Sequence, residues 1–505
     1  MLIDARIVPE GKTIETGVCI VGAGAAGITL AREFGGQPFP VCLLESGDLE
    51  PDQETQSLYS GETIGRPIAP LTASRLRYFG GTTNHWGGWC QPLDEIDFQV
   101  RDWIPHSGWP FERSHLVPFY ERAQAVLQIG PFAYGAEAWE TGSARQLPFV
   151  GSRVVTQMVQ FSPPARFGQV YRNEIARAQH ISTYVNANAI EIETTKDGRN
   201  IIRVRVACLQ GTKFWVSAKL FILAAGGIEN PRLLLLSNKV QRRGLGNHNN
   251  LVGRFFMDHA GVTSGTIILS DPNISPALYV HRVLGSHRGV DSTVEQSLMG
   301  ELMLSPEVMR AEKLANFSAV LHSTSRLEAA KGDGFLSALY NVIKNLNRRV
   351  FKPSLDLRNI IEPIPNPDSR VSLIAERDQL GQNRVRLDWR LNTGDKRTIR
   401  RSQEIIGMEL GRAGLGRLMV MNGSDDDSWP ASLEPGLAHH MGTTRMHVDP
   451  KKGVVDQNCQ VHGINNLFIA GSSVFPTYGY SPPTLTIIAL ALRLADHVKK
   501  HFSKR

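Results

Sequence analysis

Residues 18–27 read VCIVGAGAAG. VCIVG (18–22) predicts a buried strand, and AAGITLAREF (25–34) predicts the helix that follows it. Between them Gly22, Gly24 and Gly27 keep the spacing GxGxxG. The first glycine permits a tight turn, the second lets backbone approach a pyrophosphate, and the third lets helix and strand pack closely. A helix start here offers unpaired N–H groups and partial positive charge to phosphates. VCLLE (41–45) predicts a second buried strand. Glu45 ends it, eighteen residues beyond Gly27, where an acid accepts from a ribose hydroxyl. Strand, helix and strand in this order require a parallel pair with a right-handed crossover. GxGxxG alone is a weak signal. With both strands, the helix and the acid it points to a bound dinucleotide.

The rest of the chain extends this unit. IIRVRVA (201–207) alternates like a half-exposed strand and is expected to pair with KFWVSA (213–218). LFILAAGG (220–227) reads as a central strand and IENPRLLLLS (228–237) as a helix. NLFIAG (466–471) returns to the buried-strand pattern, with a helix from about 483 to 500. Residues 46–110 are rich in Gly, Pro and Thr and read mostly as loop. Ser114 is expected to cap a helix with Leu116, Tyr120, Ala123 and Leu127 on one face. From about 260 to 435, short alternating strands (RVSLIAERD, NRVRLDWRL) mix with a helix, KRTIRRSQEIIGMEL (396–410). A chain of 505 residues exceeds what one core usually supports. We therefore expect one domain built from residues 15–105, 180–259 and 436–505, and a second from 106–179 and 260–435.

Composition excludes several classes. The net charge is +7, but basic and acidic residues are interspersed, so a solvated surface and no nucleic-acid partner is expected. The basic stretches KNLNRRVFK (344–352) and KKHFSKR (499–505) are too short to change this. Five scattered cysteines without a CxxC indicate neither a disulfide framework nor a metal site. The first residues lack the build of a signal peptide, and the longest apolar run, IIALAL (487–492), is far short of a membrane span. A cytoplasmic protein is the expectation.

LFILAAGGIENPRLLLLS, RYFGGTTNHWGG (77–88), LVGRFFMDH (251–259) and NLFIAGSSVFPTYGYSPPTLTIIALALRLADH (466–497) together resemble the glucose–methanol–choline (GMC) family of flavin oxidoreductases. The resemblance spans nearly the whole chain and is weakest in the middle. It is closest to the pyranose oxidase, glycoside 3-oxidase and fructose dehydrogenase branch. It implies an α/β fold, α+β overall: a Rossmann-like FAD-binding domain with an inserted substrate domain on an antiparallel sheet. It also implies FAD as cofactor and a small-molecule sugar or alcohol as substrate, oxidised at CH–OH, here a secondary hydroxyl of a sugar or glycoside. Electrons would pass on to O2, a quinone or a redox protein. Carried onto this chain, the flavin site would comprise Gly22, Gly24, Gly27 and Glu45; Gly81, Thr82, Asn84, His85, Trp86 and Gly87; Ala189, Ala225, Gly226 and Gly471; and Pro483 and Thr484. Pro483 suits a first helical turn, where its missing N–H would be unpaired anyway. His85 falls where some members bond the flavin covalently, but Gly87 stands where those members have Thr. Covalent attachment and simple packing of a flavin loop both stay open.

GLAHHMGTTRM (436–446) carries two adjacent histidines. Removing hydride from an alcohol to flavin N5 leaves a hydroxyl proton that a base must take, a task suited to histidine. The family's His-x-x-Gly stretch makes His439 that base. Neighbours in an extended segment face opposite ways, so His440 is expected to turn toward the other domain. The family's second polar residue falls on Pro482 of SPPTLT, and proline has no side-chain donor or acceptor. Tyr478, Tyr480, Ser481 or His440 would replace it, or a single base would suffice. IEPIPNPDSRVSL (361–373) offers Glu362 and Asn366 for sugar hydroxyls, although a structural turn explains the same prolines. QFSPPARFG (160–168) is expected at the entrance, and Asp258 and His259 as links between the domains. Two other readings remain: oxidation of a non-sugar alcohol in natural-product tailoring, or a flavin-binding protein whose site has decayed, as Pro482 would suggest. A flavin monooxygenase would normally need a second dinucleotide fingerprint, which the chain lacks.

Overall fold

The computed structural model describes residues 1–142, 144–163, 165–280, 282–284, 296–323, 354–421, 429–430 and 432–503. The stretch 344–352 lies outside the described residues. The glycine motif joins strand Thr13–Val21 to helix Ala25–Phe34, with Gly24 as N-cap. The three glycines divide the labour. A Cβ on Gly27 would run into the Gly22 carbonyl, and one on Gly22 would run into Ala224 of the neighbouring strand end. A Cβ on Gly24 would meet nothing. Two glycines serve packing, and the third leaves bare backbone facing open space.

Thr13–Val21 is central in the first sheet. It pairs in parallel with Val41–Leu44 and with Lys213–Leu223. Ile181–Val185 and Leu2–Asp4 continue the parallel order beyond Val41–Leu44. Leu467–Ile469 pairs in parallel with the end of Lys213–Leu223. The segments expected as two strands, 213–218 and 220–227, form one strand, because no turn residue separates them. Its first half takes the antiparallel partner Ile201–Ala207, which in turn pairs with Asn188–Thr194. Its second half takes only parallel partners and is buried. The helix expected from Ser114 starts at Arg113 and buries Leu116, Tyr120, Ala123 and Leu127. Helix Thr484–Ser503 brings Leu485, Ile488, Ala489 and Leu492 into the same core as Ile20, Leu43 and Ile222.

The second sheet is antiparallel throughout. Its order is Gly416–Val420, Ala260–Leu269, Ser354–Ile361, Phe317–Ser323, Gln296–Leu304, Val154–Phe161 and Trp89–Cys90. Arg370–Arg377 and Asn383–Trp389 stand apart on a small sheet with Gly61–Gly65. Helix Thr393–Arg412 sets Ile399, Ile405, Ile406 and Leu410 into a second core with Leu302, Phe317 and Leu357. Among the described residues, no helix is long and apolar enough to cross a membrane.

The two kinds of glycine make different predictions. Gly27→Ala overpacks a closed contact and should cost about 1–3 kcal/mol in thermal or denaturant unfolding, with or without cofactor. Gly24→Ala should leave the cofactor-free protein within about 0.5 kcal/mol of the parent and lower only the amount of flavin that copurifies.

Candidate active site

A cavity of about 790 Å3 lies between the nucleotide-loop core and the antiparallel sheet. This is the size of a typical cofactor or ligand pocket. Gly22, Gly24, Glu45 and Ala189, then Gly81, Thr82, His85, Trp86, Gly87, Ala225 and Gly226, and finally His439, His440, Gly471, Tyr480, Pro483 and Thr484 all line it. Pro482 is on the wall as well.

Six expected residues are not on this wall, one of them Tyr478, whose hydroxyl donates to the Asp258 carbonyl at 3.1 Å. Gly27 is spent on helix packing. The Asn84 amide donates to the Phe79 carbonyl (2.8 Å) and accepts from the Gly168 N–H (3.0 Å), so it ties its loop together. The Ser481 hydroxyl donates to the Pro92 carbonyl at 2.9 Å. Asn366 accepts from the Asp368 N–H at 2.9 Å, a turn contact. Glu362 is fully buried and takes a two-pronged Arg101 guanidinium at 2.9 and 3.0 Å. Its carboxylate therefore balances a buried charge and does not meet the cavity. The described residues of 160–168 are likewise absent from the wall. They back the 84–86 loop: the Trp86 indole donates to the Ala165 carbonyl at 3.3 Å, and Arg166 donates to the Trp86 carbonyl at 2.9 Å.

The residues present fit a dinucleotide. A Cβ added at Gly24, Gly226 or Gly471 would meet nothing, so three stretches of bare backbone face the cavity. Glu45 is held by the N–H groups of Ala23 (2.9 Å) and Gly47 (3.0 Å), one to each oxygen. The Ser46 hydroxyl also donates to Oε1 at 3.1 Å, so it is Oε2 that keeps a second lone pair for a hydroxyl donor. Arg75, Arg77 and Arg232 gather around Glu229 and Asp378, three cations to two anions. Burial pushes the Glu229 pKa up, but Arg232, Arg75 and Arg77 outweigh it and hold the carboxyl at about 2. The surplus positive charge suits a phosphate-bearing ligand. The Nε2 of His85 meets the Tyr78 hydroxyl at 2.8 Å.

The two histidines rest on an irregular pairing of two segments. Leu437 N–H donates to the His259 carbonyl, and Met441 and Met257 exchange backbone hydrogen bonds at 2.9 and 3.0 Å. Between these contacts three residues, Ala438, His439 and His440, stand opposite one, Asp258. The arrangement is an enlarged bulge of the kind that re-aims side chains at active sites. Ala438 takes φ +61°, the left-handed region that costs a residue with a Cβ. The Asp258 carboxylate fills the gap, accepting from the N–H groups of His439 (2.9 Å) and Ala438 (3.2 Å). This bulge breaks the strict alternation assumed from sequence, so both histidines line the cavity, and the His440 ring also packs against Phe256. Burial, aided by Arg358, lowers the His439 pKa to about 4. Burial, Arg75 and His439 lower that of His440 to about 3. Both are neutral at pH 7, and the buried Nε2 of His440 has no hydrogen-bond partner.

Sequence reasoning missed two contributors. Arg358 lines the cavity and donates to Glu434 through two nitrogens at 2.7 and 2.6 Å. The alternation of LDLRNII was the available signal: Leu355 and Leu357 enter the core, and Arg358 and Ile360 take the other face, toward the cavity. His259 touches His439, Nδ1 to Nδ1, at 2.7 Å. Asp258 and His259 do join the two cores, and they also build the site.

Residues 365–491 match the family model for GMC oxidoreductases. The chain is 25% identical to 6'''-hydroxyparomomycin C oxidase of Streptomyces lividus over 96% of its own length and 92% of that protein's. It is 24% identical to the fructose dehydrogenase large subunit of Gluconobacter japonicus, covering 97% of this chain and 98% of that one. Among solved structures, pyridoxine 4-oxidase from Mesorbium loti superposes with a TM-score of 0.59 at 17% identity, over 96% of this chain and 99% of the other. The GMC family match over residues 365–491, with these oxidase and dehydrogenase relatives, supports an FAD-dependent oxidoreductase acting on CH–OH donors.

The Arg101–Glu362 pair gives a direct check on the reassignment of Glu362. Glu362→Ala would strand a buried guanidinium and should destabilise the protein by about 3–5 kcal/mol in denaturant unfolding. A variant of unchanged stability but raised KM would instead return Glu362 to the substrate site.

Proposed function

We propose that this enzyme oxidises a secondary hydroxyl of a sugar or glycoside, with His439 as the base. The supporting observation is that one cavity carries both the dinucleotide loop and His439. FAD, when bound, supplies the acceptor for the hydride. His439, neutral at pH 7, takes the hydroxyl proton. Arg358, whose charge already disfavours a cation on His439, favours the negative charge that develops on the substrate oxygen. Pro482 brings no polar group to the wall, and His440, with its unpartnered Nε2, supplies the second polar contact. Residues 15–105, 180–259 and 436–505 carry the cofactor in this reading, and 106–179 and 260–435 present the substrate. Two relatives matched over nearly their whole length, an oxidase of a paromomycin and a fructose dehydrogenase, favour carbohydrate, while a third, 2-methyl-1,2-propanediol dehydrogenase, keeps a non-sugar alcohol as the alternative. The electron acceptor is O2, a quinone or a redox protein.

Anaerobic addition of a panel of sugars and glycosides should bleach the flavin bands with at least one of them. His439→Ala should slow that bleaching by about 10²- to 10⁴-fold. Bleaching only by non-sugar alcohols would move the substrate class, and a His439→Ala enzyme with the parent rate would remove the base.

The base must be unprotonated to act. The pH profile of kcat/KM should therefore rise with pH through about 4 and stay flat to neutrality. A rise centred near the ordinary histidine value of about 6.5 would show a solvent-exposed base instead.

A further inference from the structure

We propose that His259 is a positioning residue that sets the tautomer of His439 and leaves His439 Nε2 as the basic nitrogen, an inference that rests on reading His439 as the base. The argument starts from a backbone carbonyl. His259 Nε2 lies 3.1 Å from the carbonyl oxygen of Gly479. A carbonyl oxygen only accepts, so His259 Nε2 carries a hydrogen. A neutral imidazole has one N–H, so His259 Nδ1 is a bare acceptor. His439 Nδ1 stands 2.7 Å from it. Two bare nitrogens at that distance would repel, so His439 Nδ1 carries the hydrogen between them. The single hydrogen of neutral His439 is then used, and its Nε2 keeps a free lone pair.

The surroundings hold this chain of assignments in place. Burial and the adjacent His439 keep the His259 pKa well below the usual imidazole range, so the ring is neutral. The Asp258 carboxylate is occupied by the two backbone N–H groups of the bulge. Tyr478 lies edge-on to His259 with centroids 4.7 Å apart, and its hydroxyl donates to the Asp258 carbonyl at 3.1 Å. Arg358 is paired with Glu434. None of these groups competes for the nitrogen-to-nitrogen contact. Gly479 has φ +59°, and a Cβ there would run into the buried Asp97 carboxylate, so the carbonyl that starts the chain is fixed by close packing.

The consequence for the reaction is directional. The substrate O–H bond breaks and an N–H bond forms at His439 Nε2. The resulting imidazolium still donates through Nδ1 to His259, so no rearrangement is needed. His259 cannot pass its own Nε2 proton to an amide carbonyl. The proton therefore stays on His439 until the cavity side takes it back.

Long-range 1H–15N spectra of the 15N-histidine-labelled holoenzyme read which nitrogen of His439 carries hydrogen, with assignment by loss of its signals in His439→Gln. Protonated Nδ1 and bare Nε2 are expected. His259→Leu removes the acceptor and should let the other tautomer appear. Flavin reduction should then fall by about 10- to 10⁴-fold, the range seen when a tautomer-setting partner is lost, with substrate affinity unchanged. His259→Asn places an amide oxygen near the lost Nδ1 and should recover most of the rate and the tautomer. Hydrogen on Nε2 of His439 in the parent enzyme overturns the proposal, and so does a His259→Leu variant with the parent tautomer and rate. Should the leucine variant fail to fold, the parent spectrum and the asparagine variant decide alone. A His439→Ala enzyme with the parent rate would overturn the base reading and leave the tautomer assignment standing.

Discussion

The Asp258 carboxylate holds the two halves of this molecule in register. It sits two residues before strand Ala260–Leu269 of the antiparallel sheet and accepts from the backbone of Ala438 and His439, which lead back toward the nucleotide core. Without it, two N–H groups of a half-buried bulge would be left without partners, at a cost of up to about 1–3 kcal/mol each. With it, three residues fit opposite one, and both histidines turn to the cavity. Burial raises the Asp258 pKa to about 7, against the pull of the His439 and Ala438 N–H groups. The carboxyl thus sits where a modest change in its surroundings alters its charge. Fold and site meet at this residue.

Burial does much of the chemical tuning. The histidines are neutral because charging them would require desolvating a cation beside arginines. The same low-dielectric interior makes every other buried charge depend on a partner. Arg101 has Glu362, and Glu229 has three guanidiniums. Glu229, Arg75 and Arg77 line the cavity, whereas the Arg101–Glu362 pair lies off its wall. A cavity wall built this way combines neutral imidazoles with fixed charges.

The parallel half of the fold was legible because its signals are local. A glycine spacing, two apolar runs and an acid at the end of the second run lie within residues 18–45, and each has one structural meaning there. The final strand and helix were legible for the same reason. The wall of the cavity was legible where motif and backbone coincide, at Gly24, Glu45, Gly226, Gly471 and His439. It was not legible where a polar residue had two possible partners. Glu362 and Asn366 read as sugar ligands, and the fold gave the first to Arg101 and the second to a turn.

By itself, the sequence determined the nucleotide-binding unit, the alternation of the antiparallel strands and the histidine pair before Gly442, since each depends on neighbours within a few residues. Tertiary structure decided the rest. The partner of Glu362 comes from 261 residues away and that of His439 from 180. The left-handed turn at Ala438 exists because a carboxylate from a distant segment pays for it. Contacts across such separations are set by how the two sheets dock, and no local periodicity records them.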